Sequence, residues 1–393
     1  MPSQGVMRPA GTFLSIGFRP FYLGAALWAA LAVPLWYAVY ARGLTLNPTL
    51  PWPAWHAHEM VFGFAPAVIV GFLLTAVRNW TGLHTPSGAA LAGLFALWAA
   101  ARILLLTGPA ALAVAVDLAF LPLAALSLAI PLWRSGNWRN AFVVPLLLLL
   151  GTLSLAHHGA YGGWMDPFWA PRAPTVALDL VALLMAVIGG RVIPAFSGNA
   201  VPGLVPRRWR GVEAAALGLL GCIIVIDAGG LGSLIPMPLL RGLFLAAALV
   251  HLLRLAGWQP WATRHNPLLL ALPLAYLWLP VHLLLRGTLD SAGGQMAPLA
   301  IHAISVGAMA GLMLAMMTRS ALGHTGRPLT AGPAELAMFA AIHGAALARV
   351  AGPLVWPGGY VTWVGLSALL WMVAFAAFVG RYAPIVMRPR VNG

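Results

Sequence analysis

Twelve apolar runs of about 20 residues follow one another along the chain, separated by short segments rich in glycine, proline and arginine. A helix of this length crosses the roughly 30 Å hydrocarbon core of a bilayer, where a chain must satisfy its backbone hydrogen bonds internally. The sequence therefore predicts an all-α polytopic membrane protein with one transmembrane domain over residues 1–393. The expected helices are 21–41, 59–77, 88–106, 110–133, 141–160, 175–195, 212–230, 235–257, 267–286, 297–318, 333–351 and 360–380.

Composition and charge exclude the other broad classes of protein. Hydrophobic residues make up 61% of the chain and charged residues 8%, against about 25% charged residues in a soluble domain. The net charge of +14 comes from 22 arginines that stand mostly singly between apolar runs. This pattern is typical of topology determinants, so we expect no nucleic-acid partner. The single cysteine, Cys222, excludes an internal disulfide and a cysteine-ligated iron–sulfur cluster.

The arginines also predict how the helices are oriented in the bilayer. With an inner amino terminus, 16 of the 22 arginines fall on the inner side. Positive residues concentrate on the cytoplasmic side of membrane proteins, so we expect both termini in the cytoplasm. The six outer arginines are Arg42, Arg102, Arg172, Arg241, Arg286 and Arg349.

A short polar stretch that contains His56, His58 and Glu59 opens the second apolar run. Ionisable groups inside a membrane are costly and indicate a functional site. In a helix, residues two apart point about 200° apart, so the two histidines face different sites unless the prolines at 51 and 53 unwind the start. Glu59 either relays protons, supports a ligating histidine or caps the helix.

Seven histidines fall in or near the outer half of the predicted bundle. Imidazole is the commonest protein ligand for haem iron, copper and zinc, so the sequence predicts metal ligands among them. His157 and His158 are adjacent and therefore point about 100° apart in a helix, so we expect only one of them to point inward. Hydrogen bonding to a neighbouring helix is the alternative role for a lone histidine. The seven are His56, His58, His157, His158, His282, His302 and His343.

A weak internal repeat relates the second, sixth and tenth helices. Each is followed by an aromatic–hydroxyl–glycine step that ends at Gly82, Gly198 or Gly326. Aligning these glycines makes His58 and His302 equivalent. The pattern predicts a pseudo-three-fold arrangement of four-helix units, with these two histidines at one depth and able to hold a cofactor.

The sixth helix carries two further ionisable residues, Asp179 and Arg191. They lie 12 residues apart, about 18 Å along a helix axis, and cannot pair directly. Asp179 is a candidate proton-transfer or ligand-supporting group. Arg191 is either a topology anchor or a partner for a haem propionate.

Four blocks of this sequence have distinctive motifs: Phe18-Arg19-Pro20-Phe21, Trp55 to Phe64, Gly189 to Phe196, and His302 to Pro328, which contains Gly323-His324-Thr325-Gly326-Arg327-Pro328. Together these blocks resemble the NnrS family of bacterial membrane proteins. The resemblance covers nearly the whole chain and implies haem b, copper and a role in the cellular response to nitric oxide, in the bacterial inner membrane. Among matching positions, His56, His58 and His302 are the first candidates as ligands.

Two functional hypotheses follow from the histidines and the resemblance. In the first, the chain binds haem and copper and takes up nitric oxide; reduction would need an electron donor of unknown identity and protons from Glu59 or Asp179. Haem–copper oxidases resemble this expected twelve-helix architecture, although their usual ligand motif on the sixth helix is absent. The alternative is a proton- or metal-coupled secondary transporter or sensor without redox turnover.

Overall fold

A computed structural model describes residues 9–289 and 297–391. Within these ranges the chain forms helices and connecting segments without strands, and twelve helical segments are long and apolar enough to cross a membrane. The chain is thus a multi-pass all-α membrane protein, as predicted. The segments are α1 Phe18–Arg42, α2 Trp52–Thr81, α3 Gly88–Thr107, α4 Ala110–Arg134, α5 Trp138–Gly162, α6 Trp169–Ala200, α7 Arg210–Gly229, α8 Met237–Gly257, α9 Pro267–Leu289, α10 Pro298–His324, α11 Pro333–Val355 and α12 Pro357–Met387.

The second segment shows why the observed helices extend past the apolar runs. Helix α2 begins at Trp52, seven residues before the predicted start, and has a proline in its first turn. Proline is favoured there because its missing amide hydrogen has no helical partner to lose. The helix ends at Thr81, and the next residue, Gly82, has a positive φ of 69° that lets its amide donate to the Arg78 carbonyl. The polar start therefore belongs to the helix, so the prolines do not unwind it.

Two of the spanning segments contain a stretch of π-helix. In α2 it covers Glu59–Phe64, and the Ala65 amide donates to the carbonyl of Met60, five residues earlier. In α10 it covers Ala303–Ala310. Such stretches are rare and frequently occur at functional sites. One stretch begins directly after His58 and the other directly after His302, the two histidines that the sequence repeat aligns with each other. The three-fold arrangement itself stays a prediction.

The described residues group into two compact units. Unit 1 contains the residues up to Ala170, with Met317–Leu329 and the chain from Phe375 onward. Unit 2 contains Pro171–Met316, apart from residues 290–296, and Thr330–Ala374. The predictions of one transmembrane domain and of cytoplasmic termini stay predictions, and Arg8, which contributed to the second, lies outside the described residues.

Candidate metal centre

Unit 1 contains a group of five buried ionisable side chains, which we call the buried ion cluster. Its members are at most 7% exposed. They come from four helices, α2 to α5, so the cluster depends on the packing of all four. The members are His58, Glu59, Arg102, Asp117 and His158.

One oxygen of Asp117 is the point on which the cluster converges. The Nε2 atoms of His58 and His158 each lie 3.1 Å from Asp117 Oδ2. The hydroxyl of Ser154 donates to the same oxygen over 3.1 Å. Three groups therefore surround a single carboxylate oxygen, which offers two lone pairs.

Arg102 joins the two carboxylates of the cluster. Its Nη1 donates to both oxygens of Glu59 at 2.9 Å, and its Nη2 donates to Asp117 Oδ1. Glu59 also accepts a hydrogen bond from Trp28 Nε1 at 2.7 Å, and its Oε1 lies 3.2 Å from His58 Nδ1. Both oxygens of Glu59 are thus fully engaged, which holds the His58 ring in place.

A glycine in the π-helical stretch makes room for this arrangement. A Cβ atom at Gly63 would overlap Arg102 Nη1 and would lie 2.9 Å from Glu59 Oε2. The carbonyl of Gly63 accepts a hydrogen bond from Trp98 Nε1 at 2.9 Å. The local backbone and the small residue together bring the guanidinium against helix α2.

The donor set of the cluster fits one metal ion. One ligand atom from each of His58, Asp117 and His158 lies within 4.8 Å of the other two. Imidazole and carboxylate are suitable ligands for copper and zinc. The Nδ1 atom of His158 is buried without a hydrogen-bond partner among the described residues, so protein contacts do not use the full bonding capacity of this ring.

The same geometry does not fit a haem held between His58 and His158. Two imidazoles that share a haem iron lie on opposite faces of the porphyrin. Here the ring centroids are 4.6 Å apart and both Nε2 atoms face the same oxygen. This pair of histidines has space for an ion and not for a macrocycle.

The neighbouring histidines of unit 1 have other contacts. His56 stacks on Trp36 with a centroid distance of 4.4 Å, so it faces different surroundings from His58, as helical spacing predicted. The expectation that only one of His157 and His158 points inward is wrong, because both are buried. The Nδ1 atom of His157 donates to the Ala170 carbonyl at 3.0 Å, which accounts for its burial.

The remaining predicted histidines belong to unit 2. His282 and His302 each donate from Nδ1 to a backbone carbonyl, that of Ala300 at 2.7 Å and that of Pro298 at 2.6 Å. His343 accepts a hydrogen bond at Nδ1 from a tryptophan indole at 3.2 Å. In the part of the chain that the structure describes, these three do not form a group with metal-ligand spacing.

Asp179 and Arg191 also lie in unit 2, on helix α6. Asp179 is 5% exposed, and its Oδ1 lies 3.7 Å from Arg286 Nη1. Arg286 makes a two-pronged pair with Asp227, with distances of 2.7 and 3.1 Å. Arg191 is half-buried. The carboxylates of α6 and α7 thus share one guanidinium.

Arg102 and Asp117 are the cluster residues that sequence reasoning missed. The arginine distribution places Arg102 among the topology determinants, and none of the sequence motifs includes Asp117. Each is a lone charge inside an apolar run, and the rule that marked His58 and Glu59 applies equally to them. Ser154 carried no comparable signal, because a hydroxyl in a membrane helix commonly bonds to its own backbone.

Comparison with known proteins identifies the family. The family model described as NnrS protein matches residues 12–390, nearly the whole chain. The chain belongs to the NnrS family. None of the curated proteins matches it significantly. In this NnrS protein, two members of the buried ion cluster, His58 and Glu59, lie in the Trp55 to Phe64 block that helped to suggest the family. The other three members lie on α3, α4 and α5, outside the four blocks.

Proposed function

We propose that this NnrS protein binds copper at His58, Asp117 and His158, and that the copper centre takes up nitric oxide. One observation carries the proposal, namely that two imidazoles and a carboxylate bring their ligand atoms within 4.8 Å of one another in a buried position. Zinc accepts the same donors, and the association of the family with copper favours copper. Nitric oxide, small and apolar, reaches a site inside the bilayer through the lipid.

The surrounding residues prepare the site for an ion. Copper, when bound, supplies a redox-active centre at which a small gas can bind. Glu59 orients the His58 ring through Nδ1, and carboxylates in this position typically raise the basicity of a ligating histidine. Because Arg102 and Trp28 occupy its oxygens, Glu59 is better suited to positioning His58 than to delivering protons.

The charge balance of the cluster also favours a bound cation. Glu59 and Asp117 are paired with a single guanidinium, that of Arg102. With neutral histidines, one negative charge is left in excess. A buried excess charge is strongly unfavourable, and a copper cation coordinated to Asp117 would compensate it.

The haem b of the family stays a prediction that rests on the resemblance. Its candidate ligand is His302, whose Nδ1 hydrogen bond to a carbonyl orients the ring, with Arg191 as the candidate propionate partner. Reduction of nitric oxide, with Asp179 as a proton-transfer group and an electron donor of unknown identity, belongs to the same proposal. So does a place in the bacterial inner membrane.

Metal analysis of the purified protein tests the copper site. We expect about one tightly bound copper per chain in this cluster, and a loss of at least tenfold in copper affinity in His58→Ala and His158→Ala. His157→Ala removes a buried histidine that is not part of the donor set and should keep its copper. His84→Ala, at an exposed position, is the second control.

Nitric oxide added to the protein loaded with Cu(II), the paramagnetic form of copper, should change its electron paramagnetic resonance spectrum. The change should be absent in His58→Ala that is equally monodisperse in detergent. Full copper occupancy in both His58→Ala and His158→Ala would contradict the proposed site.

A second candidate function is a proton-coupled carrier, and the contacts of His58 favour it specifically. Its two ring nitrogens face carboxylates, Glu59 at 3.2 Å and Asp117 at 3.1 Å. An imidazolium donates from both nitrogens, so a proton on His58 would also neutralise the excess charge. A protein that contains no metal and moves a substrate with protons in vesicles, with loss of transport in His58→Ala, would support this function.

A further inference from the structure

Two motifs that the copper site does not use meet in unit 1. They are the Phe18–Phe21 block and the Gly323–Pro328 block. The ring of Phe18 lies 5.7 Å from the ring of His324, and the Arg19 guanidinium lies 5.7 Å from the centroid of Phe18. The ends of α1 and α10 are thus fixed to each other.

Hydrogen bonds attach the carboxyl-terminal segment to both blocks, at Arg19 and at Thr325. Arg19 is 4% exposed, and its Nη1 donates to the carbonyls of Val386 at 2.5 Å and Arg388 at 2.8 Å. The amide of Val391 donates to the Thr325 carbonyl at 3.0 Å. The Arg19 side chain and one backbone hydrogen bond therefore hold the residues after α12 near the turn after α10.

This arrangement gathers three arginines, Arg327, Arg388 and Arg390, into what we call the basic turn. Arg388 and Arg390 are exposed, and a Cβ atom built on Gly326 would lie 3.2 Å from Arg390 Cγ. Burial and the neighbouring guanidinium groups of Arg388 and Arg381 lower the pKa of Arg327 from its ordinary value. Within residues 9–289 and 297–391, none of the three arginines of the basic turn forms an ion pair with a carboxylate.

Like charges held together repel one another, and a bound anion relieves the repulsion. Guanidinium groups match the geometry of phosphate oxygens and bind them with paired hydrogen bonds. The general bias of membrane proteins toward positive loops accounts for single arginines. This bias does not explain why hydrogen bonds hold the carboxyl-terminal segment where Arg388 and Arg390 lie close to Arg327.

We propose that the basic turn binds the phosphate of an anionic lipid headgroup. The position argues for a lipid, because α10 ends at His324 and α12 ends at Met387, so the turn lies where two spanning helices leave the bilayer. Basic pockets between membrane helices bind anionic headgroups in this way.

Native mass spectrometry of the full chain with phosphatidylglycerol or phosphatidylcholine tests the proposal. We expect selective retention of phosphatidylglycerol, and a loss of about fivefold in affinity per arginine removed. The Arg388→Ala/Arg390→Ala variant should thus bind about 25-fold more weakly. Its matched control is Arg134→Ala/Arg139→Ala, which also removes two exposed arginines and should bind like the parent protein.

Three outcomes would overturn the assignment. Equal losses in the two double variants would mean that only general surface charge attracts the lipid. Retention of phosphatidylcholine as strong as that of phosphatidylglycerol would remove the selectivity for an anion. Displacement of the lipid by millimolar inorganic phosphate, which would then bind the parent protein by itself, would assign the turn to a free anion. Arg327→Ala, which leaves the tail arginines in place, provides a second variant if the double variant proves unstable.

Discussion

Arg102 determines whether the two carboxylates beside His58 can remain buried as ions. It is 2% exposed and bridges Glu59 and Asp117. Removing one partner from a buried ion pair leaves an uncompensated charge, which costs about 3–5 kcal/mol. We expect Arg102→Ala to lower the free energy of unfolding by this amount, measured by thermal or denaturant unfolding in detergent.

A control and a rescue variant make this prediction specific. Arg139→Ala removes an exposed arginine and should change stability by less than about 0.5 kcal/mol. Adding Glu59→Gln to Arg102→Ala removes one of the stranded charges and should recover part of the loss. If the double variant loses as much stability as Arg102→Ala and Glu59→Gln lose separately, added together, the two side chains are not coupled and the bridging role of Arg102 is wrong.

At the same scale, the sequence allowed only part of the site to be predicted. His58 and His158 were candidate ligands because imidazole inside a membrane is rare and chemically specific. The role of Asp117 was not predictable from spacing, since it lies 59 residues from His58 on another helix. Which lone charges meet is decided by how the helices pack, and a single sequence carries little information about that.

The π-helical stretch of α2 is the element that brings Glu59 and Arg102 together. We expect Gly63→Ala to force the guanidinium away from Glu59, at a cost of about 1–3 kcal/mol, and to weaken copper binding by about tenfold. Gly93→Ala is the matched control, because a Cβ there meets nothing within 4 Å and alanine favours the helix. Unchanged copper affinity in Gly63→Ala would show that this close approach is unimportant.

The helices themselves were largely predictable, whereas their internal irregularities were not. Apolar runs gave the number and order of the spanning segments, because the bilayer imposes a minimum length on each. The apolar run predicts that α2 starts at residue 59, whereas the helix starts at Trp52. Polar and aromatic residues at a membrane boundary interrupt the apolar run without ending the helix. The π-helical stretches have no hydropathy signal. A backbone hydrogen bond that spans five residues instead of four leaves the hydrophobicity of the side chains unchanged.

For the whole molecule, the bias in arginine distribution predicts cytoplasmic termini, and cysteine labelling can test this orientation. The one native cysteine, Cys222, is exposed, so Cys222→Ala provides a clean background. In intact cells, a membrane-impermeant maleimide should label Trp164→Cys, between α5 and α6, and should label Ser135→Cys, between α4 and α5, only after lysis. The reverse labelling pattern would contradict the predicted orientation.

The order of the cluster residues along the chain bears on how the protein acquires its metal. His58, Asp117 and His158 all precede Pro171, where unit 2 begins. Because amino-terminal regions fold first during synthesis, the helices that carry all the ligands of the proposed copper site are made before α6 and can pack before it. Metal delivery can therefore accompany insertion of the first five helices.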